Sequence, residues 1–392
     1  MTAGSGHDGE ASEWGSESPL TGVRVVDGWA AQALAEVLEQ VAVTAADVAE
    51  GRFPLYAEPD TGRWTTTGRG SWAGGFWAGL LWLRARHTGS EGDRTAASAC
   101  TARLAGWVDA DTSTRGLILW YGTALAAGDT GPTGAGGAAG DTGAEQLRAR
   151  AAAACLAAMD EELGLLPWGS AFGGPRLLAR VDGLAGTVPL LAAVSPAAAA
   201  SHLQRHLTLC LPGSGTEACR ARDLVPAWSY EAERGWLACA EPAPGWSRGP
   251  AWLLLALADV LHRPAVTAWL PGHPRARAER LAAAWTGPGT PLVPPADATR
   301  PDGPADTSAA AVTAVALLKL SLLPGPRSAR YAHRAVEILK HLVDHHLSRG
   351  RLLNGCYDAG KGLAVRHELV WGDFFLALGL AGLAGLADLR TV

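Results

Sequence analysis

The sequence predicts an all-α fold in which helices form a toroid around an aromatic hollow. Sustained period-two alternation of Val, Ile and Thr is missing, which argues against a parallel sheet or a β-sandwich. About ten to twelve segments have apolar residues three and four positions apart, and Gly- and Pro-rich loops join them. Four segments combine Trp or Gly with helix-boundary signals: Thr61 to Leu83, Arg180 to Leu191, Trp246 to Trp252 and Trp371 to Phe375.

Several helix ends can be assigned from local signals in the first part of the chain. The periodic run around Trp29 begins the helical region, and residues Gly75 to His87 form a second run. Gly89 follows that run, and glycine readily adopts the left-handed conformation that ends a helix. The segments 193–200 and 282–295 are predicted to be connectors.

Three residues in the second part of the chain mark helix starts. Pro250 fits a first helical turn, where proline is tolerated. Asp306 supplies a capping oxygen before an alanine-rich helix. Asp373 places a negative charge in the first turn of a helix predicted over Phe374 to Leu386, where the helix dipole favours it.

The length would allow two or three average domains, but a helical toroid can use all of it in one, and the composition allows a large core. Hydrophobic residues make up 48% of the 392 residues and charged residues 18%, which excludes global disorder. The net charge is −5 and the basic residues are scattered, so the sequence shows no basic patch of the kind that binds nucleic acid. Charge, Gly or Pro interrupts the longest apolar stretches before about 18 residues, so no membrane span is expected.

The chain divides into a tail and a single domain. Residues 1–20 are small, polar and acidic and are predicted to be a disordered tail, followed by one domain over residues 21–392. Within this domain, Gly128 to Gly143 is a low-complexity insertion that lacks the Lys-Ser/Thr of a phosphate-binding loop. We expect a monomer or a weak homo-oligomer.

The cysteines and histidines predict neither disulfides nor a metal site. The six cysteines are far apart, form no C-x-x-C motif and are expected to be reduced thiols of a cytoplasmic protein without a secretion signal. His341 and His345 lie four residues apart, as do His202 and His206, a spacing that can hold zinc. Because no third ligand accompanies either pair, we interpret both as solvated helix faces. We expect no metal and no cofactor.

Tryptophan is the compositional anomaly. Sixteen Trp occur against five Phe and five Tyr. Core filling accounts for part of this excess, and the alternative for the rest is a hydrated aromatic cavity, because an indole N–H requires a partner. Such a cavity suits sugars, because a pyranose packs its C–H face on an aromatic ring while its hydroxyls need polar partners.

Asp182 is the candidate acid. It lies just before the apolar run Val188 to Leu191, and desolvation beside apolar groups disfavours the ionised form of a carboxyl group. A carboxylic acid held in this way can donate a proton near neutral pH. The alternative interpretation of Asp182 is a helix cap.

The four segments together resemble glycoside hydrolase family 88, the unsaturated glucuronyl hydrolases, and more distantly the unsaturated rhamnogalacturonyl hydrolases. The segment W-S-R-G-P-A-W is similar to the family signature W-x-R-G-Q-A-W, and Trp371 to Phe375 is similar to its terminal aromatic-Gly-Asp-aromatic run. Asp306 to Ala311 is similar to its D-S-S-A-A-A helix start. The resemblance covers about Val23 to Leu386 and implies an (α/α)6 toroid and a small saccharide substrate.

The resemblance also implies site residues. Asp182 matches the family acid and base, Arg248 matches the signature arginine, and Trp252 matches the last signature tryptophan. Trp72 and Trp246 are predicted to pack the sugar, and Arg248 is predicted to face its anionic group. Thr114 and Trp371 complete the predicted substrate-binding set, which is Trp72, Thr114, Trp246, Arg248, Trp252 and Trp371.

The chain departs from the family at several of these places. The family motif H-D-x-G-F, which carries a second carboxylate, is matched by Ser113 to Leu117, so Thr114 replaces the aspartate. Asp109 or Asp111 could supply a carboxylate from nearby. Pro250 replaces the signature glutamine. The scaffold is thus predicted to be kept and the pocket altered.

Four functions remain open at this point, the last of them a helical zinc-dependent toroid. The first is a divergent enzyme that hydrates the C4=C5 double bond of a terminal unsaturated uronic acid and releases it, with Asp182 as acid and base. The second is a toroid that binds a sugar or small molecule with reduced or no catalysis, which the substitution by Thr114 favours. The third is a tailoring enzyme that uses the same cavity for another substrate.

Overall fold

The computed structural model describes residues 28–127, 140–211 and 223–392, and this part of the chain is built mainly from helices. Six outer helices alternate along the sequence with six inner elements, which are five helices and one short π-helical segment. The outer helices are α1 (Trp29–Asp47), α3 (Glu91–Ala102), α4 (Thr142–Ala157), α6 (Pro196–Cys210), α9 (Pro274–Thr286) and α11 (Ser328–His346). The inner elements are α2 (Gly74–Thr88), the π-helical segment Gly116–Trp120, α5 (Thr187–Val194), α7 (Arg248–Leu261), α10 (Thr307–Ser321) and α12 (Val370–Leu383), and a four-residue helix, α8 (Pro264–Thr267), precedes α9.

The inner elements form a closed ring. Each packs against the next in chain order, and α12 packs against α2 to complete the circle. An outer helix precedes each inner element in the sequence, so the chain makes six outer-to-inner hairpins. This arrangement is an (α/α)6 toroid, and it confirms the predicted fold class.

Hydrophobicity separates the two layers. Every residue of α10 is buried, and so is every residue of α12 from Val370 to Ala381. A helix that is apolar on all sides is stable only when neighbours surround it. The outer helix α1 is instead amphipathic, because its buried residues Ala30, Ala33, Leu34, Val37, Leu38 and Val41 follow the three-and-four spacing of one helix face.

Short antiparallel strands extend from the ends of the helices. Strands β1 (Phe53–Ala57) and β2 (Trp64–Thr67) pair with each other, and β8 (Glu368–Leu369) joins the free edge of β1. Strands β3 (Leu178–Arg180), β4 (Ala227–Glu231) and β5 (Gly235–Ala238) form a second sheet in that order. A two-residue hairpin, β6 (Leu347–Ser348) and β7 (Arg351–Leu352), follows α11.

Most of the predicted helix ends are confirmed. Gly89 has a φ of 66° and caps α2, and Asp306 caps α10 by accepting a hydrogen bond from the backbone N–H of Ser308. Pro250 lies in the first turn of α7. Asp373 also lies in a first turn, but α12 begins four residues earlier than predicted, at Val370.

The two predicted connectors are wrong in part. Residues Pro196 onward belong to α6, because Ser195 caps the helix and Pro196 occupies its first turn. Residues up to Thr286 belong to α9. The predicted tail, residues 1–20, and residues 128–139 of the insertion lie outside the described part of the chain, whereas α4 begins at Thr142. No helix in the described ranges is long and apolar enough to span a membrane.

A buried ion pair joins two inner helices. Lys319 of α10 donates a hydrogen bond to Asp259 of α7 over 2.5 Å, and both side chains are 1% exposed. Lys319 also donates to the backbone carbonyl of Val392. Burial lowers the pKa of Lys319, and the charge of Asp259 opposes this shift. The pair therefore connects α7, α10 and the backbone of Val392 in the buried interior.

We expect Lys319→Met to lower the free energy of unfolding by about 3–5 kcal/mol, because it leaves the charge of Asp259 buried and unpaired. Urea denaturation at pH 7 measures this loss. The double variant Lys319→Met/Asp259→Leu should recover most of the stability, since no charge is then buried. Lys340→Met, at the half-exposed pair with Asp344, should change stability by less than about 1 kcal/mol. Equal effects of the two lysine substitutions would contradict the prediction.

Candidate functional site

A cavity of about 480 Å³ opens at one end of the toroid. Its wall comes from segments that precede or begin the inner elements: residues 71–72 before α2, Thr114 before the π-helical segment, Asp182 before α5, Trp246 and Arg248 at α7, residues 296–300 before α10 and 356–363 before α12. The N-terminal ends of the inner helices thus surround the cavity. Helix N-termini carry partial positive charge, so this end favours anionic groups.

Aromatic side chains form much of the cavity wall. The lining includes Trp72, Trp168, Trp246, Trp252 and Tyr357. The indole N–H of Trp72 donates a hydrogen bond to the hydroxyl of Tyr357 over 3.0 Å, which fixes both rings. The predicted tryptophans at 72, 246 and 252 therefore share one hollow, and Trp168 joins them without having been predicted.

Trp371 is the exception among the predicted contacts. Its side chain is fully buried and does not line the cavity. Its ring lies 4.7 Å from that of Trp72 and 5.2 Å from that of Tyr357. The prediction that Trp371 touches a ligand is therefore wrong for this geometry, because position 371 faces the back of the wall, where it supports the two rings that do line the cavity.

Asp182 reaches the cavity from a short 3₁₀ turn, Val181–Gly183, at the end of β3. The turn is anchored by the backbone N–H of Val181, which donates to the carbonyl of Pro226. The side chain of Asp182 is only 14% exposed, and its carboxylate lies 3.0 Å from Nε of Arg180. The acid is therefore held at the cavity and away from bulk solvent.

The segment with Thr114 packs directly on the segment with Asp182. A Cβ atom at Gly183 would meet the side chain of Ser113, and the hydroxyl of Thr187 donates to the carbonyl of Ser113 over 2.7 Å. The segments that would carry two carboxylates in the family resemblance therefore meet at the cavity. Here the second position offers only the Thr114 hydroxyl, which is 2.9 Å from that of Thr112.

Glycine makes this contact possible. A Cβ atom at Gly116 would collide with the backbone of Gly186 and Thr187, and one at Gly186 would collide with the carbonyl of Gly116. Gly186 also has a φ of 70°, which side chains with a Cβ rarely adopt. The two backbones thus touch without intervening side chains.

Neither alternative carboxylate reaches the cavity. The carboxylate of Asp111 accepts hydrogen bonds from the backbone and hydroxyl of Ser170 and from Nε of Arg176, each at 3.1 Å. Asp109 is exposed. Since both lie outside the cavity lining, the prediction that one of them could replace the missing aspartate is wrong.

Arg248 lines the cavity, but protein acceptors occupy its guanidinium. It forms an ion pair with Asp306, donates to the carbonyl of Cys356, and donates from Nη2 to the carbonyl of Tyr357 over 2.6 Å. The side chain is 5% exposed. Its geometry is that of a clamp between α7, α10 and the loop before α12, which leaves little donor capacity for the anionic group that we predicted it to face.

A second arginine lies beside the acid. Arg180 of β3 was not predicted, although it stands two residues before Asp182 in the sequence. Its guanidinium carbon lies 4.8 Å from the ring centre of Trp168 and 5.8 Å from that of Trp246. The sequence offered one clue to this role of Arg180, which is its position two residues before Asp182. The strand itself could not be predicted, because β3 is too short to show an alternating pattern.

The cysteines in the described ranges are free, and Cys100, Cys155, Cys210 and Cys356 are buried. Cys356 lines the cavity. Burial, assisted by the charge of Asp306, raises the pKa of its thiol to about 12. The thiol is therefore protonated near neutral pH and is a poor nucleophile.

The interpretation of His202 and His206 as a solvated face is wrong. Both side chains are buried, because the inward face of α6 passes through positions 199, 202, 203, 206, 207 and 210. Nδ1 of His202 accepts from the backbone of Leu166 over 3.1 Å, and the ring of His206 bonds to the carbonyl of His202 over 2.9 Å. His202 also faces the carbonyl of Gly183 at 3.5 Å, so the pair supports the turn that carries Asp182.

The other histidine pair lies nearer the surface. His345 is exposed and His341 is partly exposed, and their rings are 4.5 Å apart. Across residues 28–127, 140–211 and 223–392 there is no group of three or more His, Cys, Asp or Glu residues that could hold a metal ion.

Comparisons with known proteins agree with the fold. No protein-family model matches the chain, and no curated protein matches it. Solved structures do match. The unsaturated glucuronyl hydrolase of Bacillus sp. GL1 has a TM-score of 0.74 at 20% identity, covering 90% of this chain and 96% of that chain.

Two further structures have the same architecture. An unsaturated glucuronyl hydrolase specific for heparin has a TM-score of 0.73 at 20% identity, covering 93% of this chain and 100% of that one. The enzyme of Streptococcus agalactiae has a TM-score of 0.73 at 16% identity, covering 95% of each chain. The likeness establishes the (α/α)6 fold, and it involves the family that the four sequence segments resemble.

The buried histidine pair predicts a loss of stability in acid. Burial lowers the pKa of His206 from 6.5 to about 4, and burial together with the charge of His206 lowers that of His202 well below 6.5. The unfolded chain then binds more protons below pH 6.5 than the folded chain. Stability is therefore full above about pH 6.5 and is lost as pH falls toward 4, by about 3 kcal/mol for His206.

Urea denaturation at pH 7.5 and pH 4.5 measures this loss. His206→Asn should reduce the difference between the two pH values. Leu203→Ala, a packing defect on the same buried face of α6, should lower stability at both pH values and leave the difference unchanged. An unchanged difference in His206→Asn would show that this imidazole is not responsible.

Proposed function

We propose that this protein is a divergent unsaturated uronyl hydrolase, which hydrates the C4=C5 double bond of a terminal unsaturated uronic acid and releases that sugar from an oligosaccharide or glycoside. The observation that carries the proposal is the position of Asp182, a largely buried acid at the edge of a tryptophan-lined cavity. The similar solved structures are unsaturated glucuronyl hydrolases, and this supports the same class of substrate.

One carboxyl group can perform this reaction. Protonated Asp182 donates its proton to C4 of the enol ether, and positive charge develops at C5 and the ring oxygen. Water adds to C5 while the Asp182 carboxylate takes the proton of that water. The resulting hemiketal opens and expels the aglycone, and Asp182 is again protonated. The same side chain is thus acid and then base, within reach of one ring of the substrate.

The aromatic wall would hold the sugar. Trp72 and Trp246 would provide ring faces for the C–H face of the pyranose, while Trp252, which is 1% exposed, would lie beneath the ligand as part of the cavity wall. Arg248 would act mainly by positioning, because it connects α7 to Asp306 and to the carbonyls of the loop before α12. Thr114 would offer a hydroxyl to the sugar or to the attacking water.

The substitution at Thr114 sets the expected rate. Loss of one stabilising group costs on the order of 2–4 kcal/mol of barrier, or about a hundredfold in rate. The same substitution favours the second candidate function, a toroid that binds a saccharide without turnover. The two candidates differ in the fate of the bound sugar and not in its binding.

We also infer the setting in which the protein acts. The closure of the inner ring by α2 and α12, from opposite ends of the sequence, supports a single domain over residues 21–392. The free cysteines support a reducing, cytoplasmic location. We propose a monomer or a weak homo-oligomer whose partner is a small saccharide.

Asp182→Asn should abolish turnover of lyase-generated unsaturated disaccharides, with a loss of about a thousandfold or more, since the amide can neither donate nor take the proton. Loss of the near-ultraviolet absorbance of the double bond measures the reaction. Asp111→Asn is the matched control, because its carboxylate lies outside the cavity, and it should keep activity within about tenfold. Wild-type turnover by Asp182→Asn would refute the assignment. Tryptophan quenching without turnover by the wild type would favour the binding protein.

A further inference from the structure

Arg180 occupies a defined place between the acid and the aromatic wall. Its backbone ends β3, paired with Ala227 of β4, so the side chain starts from a fixed position. The guanidinium lies beside the rings of Trp168 and Trp246, and Nε faces the carboxylate of Asp182 at 3.0 Å. The side chain lines the cavity and is 28% exposed. An arginine stacked on indoles keeps its plane oriented at a small entropic cost.

The Nη atoms of Arg180 have no hydrogen-bond partner within the described ranges, although the guanidinium belongs to the cavity wall. Arg248 is the opposite case, because its Nη atoms donate to Asp306 and to the carbonyls of Cys356 and Tyr357. Within the described ranges, Arg180 therefore keeps more N–H donors for a ligand than Arg248 does, because both Nη atoms of Arg248 already donate to protein acceptors.

The other cations of the cavity wall lie close to their own acids. Arg300 is 3.8 Å from Asp297, and Lys361 is 3.2 Å from Asp358. Both side chains are at least 75% exposed, so solvent screens their charge. Arg180 is much less exposed and lies next to the candidate acid.

We propose that Arg180 is the specificity-determining residue that binds the carboxylate of the uronic acid, with its Nη atoms directed to that carboxylate while Nε stays with Asp182. The planar guanidinium can bind a carboxylate through two parallel hydrogen bonds. This inference deepens the proposed function and rests on it for the identity of the sugar. The converging N-terminal ends of the inner helices add positive potential for the same anion.

The geometry explains how recognition and chemistry would be coupled. The unsaturated ring carries its carboxylate on C5, next to the C4 atom that must receive the proton. An arginine that holds the carboxylate through Nη and contacts Asp182 through Nε would place the acid beside C4. The structure thus assigns one side chain to two tasks, selection of anionic sugars and alignment of the ring with the acid.

Two matched ligands test the proposal without requiring turnover. Methyl glucuronide and methyl glucoside differ only in the carboxylate, and isothermal titration calorimetry measures the affinity of each. The wild type should prefer the glucuronide. Arg180→Gln should lose that preference, with a fall in glucuronide affinity of about 10- to 100-fold and little change for the glucoside. Arg180→Lys should be intermediate, because a lysine keeps the charge and loses the paired donors.

A second variant is expected to act in the opposite direction. Asp182→Asn removes the carboxylate that competes for Arg180, so it should bind methyl glucuronide severalfold more tightly and the glucoside unchanged. Arg300→Gln, at the exposed pair on the cavity rim, is the arginine control and should keep the wild-type preference. Thermal denaturation of each variant reports whether the fold is intact.

The outcomes separate this proposal from the proposed function. An Arg180→Gln variant that folds and still prefers the glucuronide would overturn the role of Arg180, and so would an equal loss of both ligands. If Arg248→Gln folds and alone loses the preference, the anion site belongs to Arg248. If the preference depends on Arg180 but unsaturated disaccharides are not turned over, the anion site stands and the hydrolase assignment falls.

Discussion

The fold depends on burying the inner elements, of which α10 and most of α12 are surrounded on every side. Helices such as α10 and α12 have no polar face, so neither would be stable at a surface. Outer helices cover them on one side and neighbouring inner elements on two others, while the ring closes around an aromatic core formed by Phe76, Tyr121, Phe374 and Phe375. Closure leaves one end where loops and helix N-termini meet, and the cavity lies there. The position of the site is thus a consequence of how the core is closed.

The sequence was sufficient for the architecture, and it placed Asp182 correctly at the cavity, while the role of Asp182 as the acid stays a prediction. Helix periodicity, Gly89 and the cap at Asp306 are local signals, and they were read correctly because capping depends on a few adjacent residues. The cavity tryptophans were identified because their segments resemble a known family. The same resemblance selected Asp182, and the structure places its carboxylate at the cavity beside Arg180.

The remaining features depend on contacts between distant segments. His202 and His206 were expected in solvent, since their spacing identifies a shared helix face and does not reveal whether that face is buried. Trp371 was expected at the ligand, because a motif does not distinguish a ring that lines a wall from one that supports it. The roles of Arg248 and Arg180 could not be separated either, since donor occupancy depends on carbonyls more than a hundred residues away.

The backbone contact between Gly116 and Gly186 has a consequence for how such a protein can change over evolutionary time. The distance between the segments that carry positions 114 and 182 is set by main-chain atoms, with no rotamer in between. Substitution at position 114 between an acidic residue and one with a hydroxyl can therefore occur without displacing the residue at 182. Scaffold and reactivity are separable here, and a lineage could lose a chemical group, or regain one, without rebuilding the toroid.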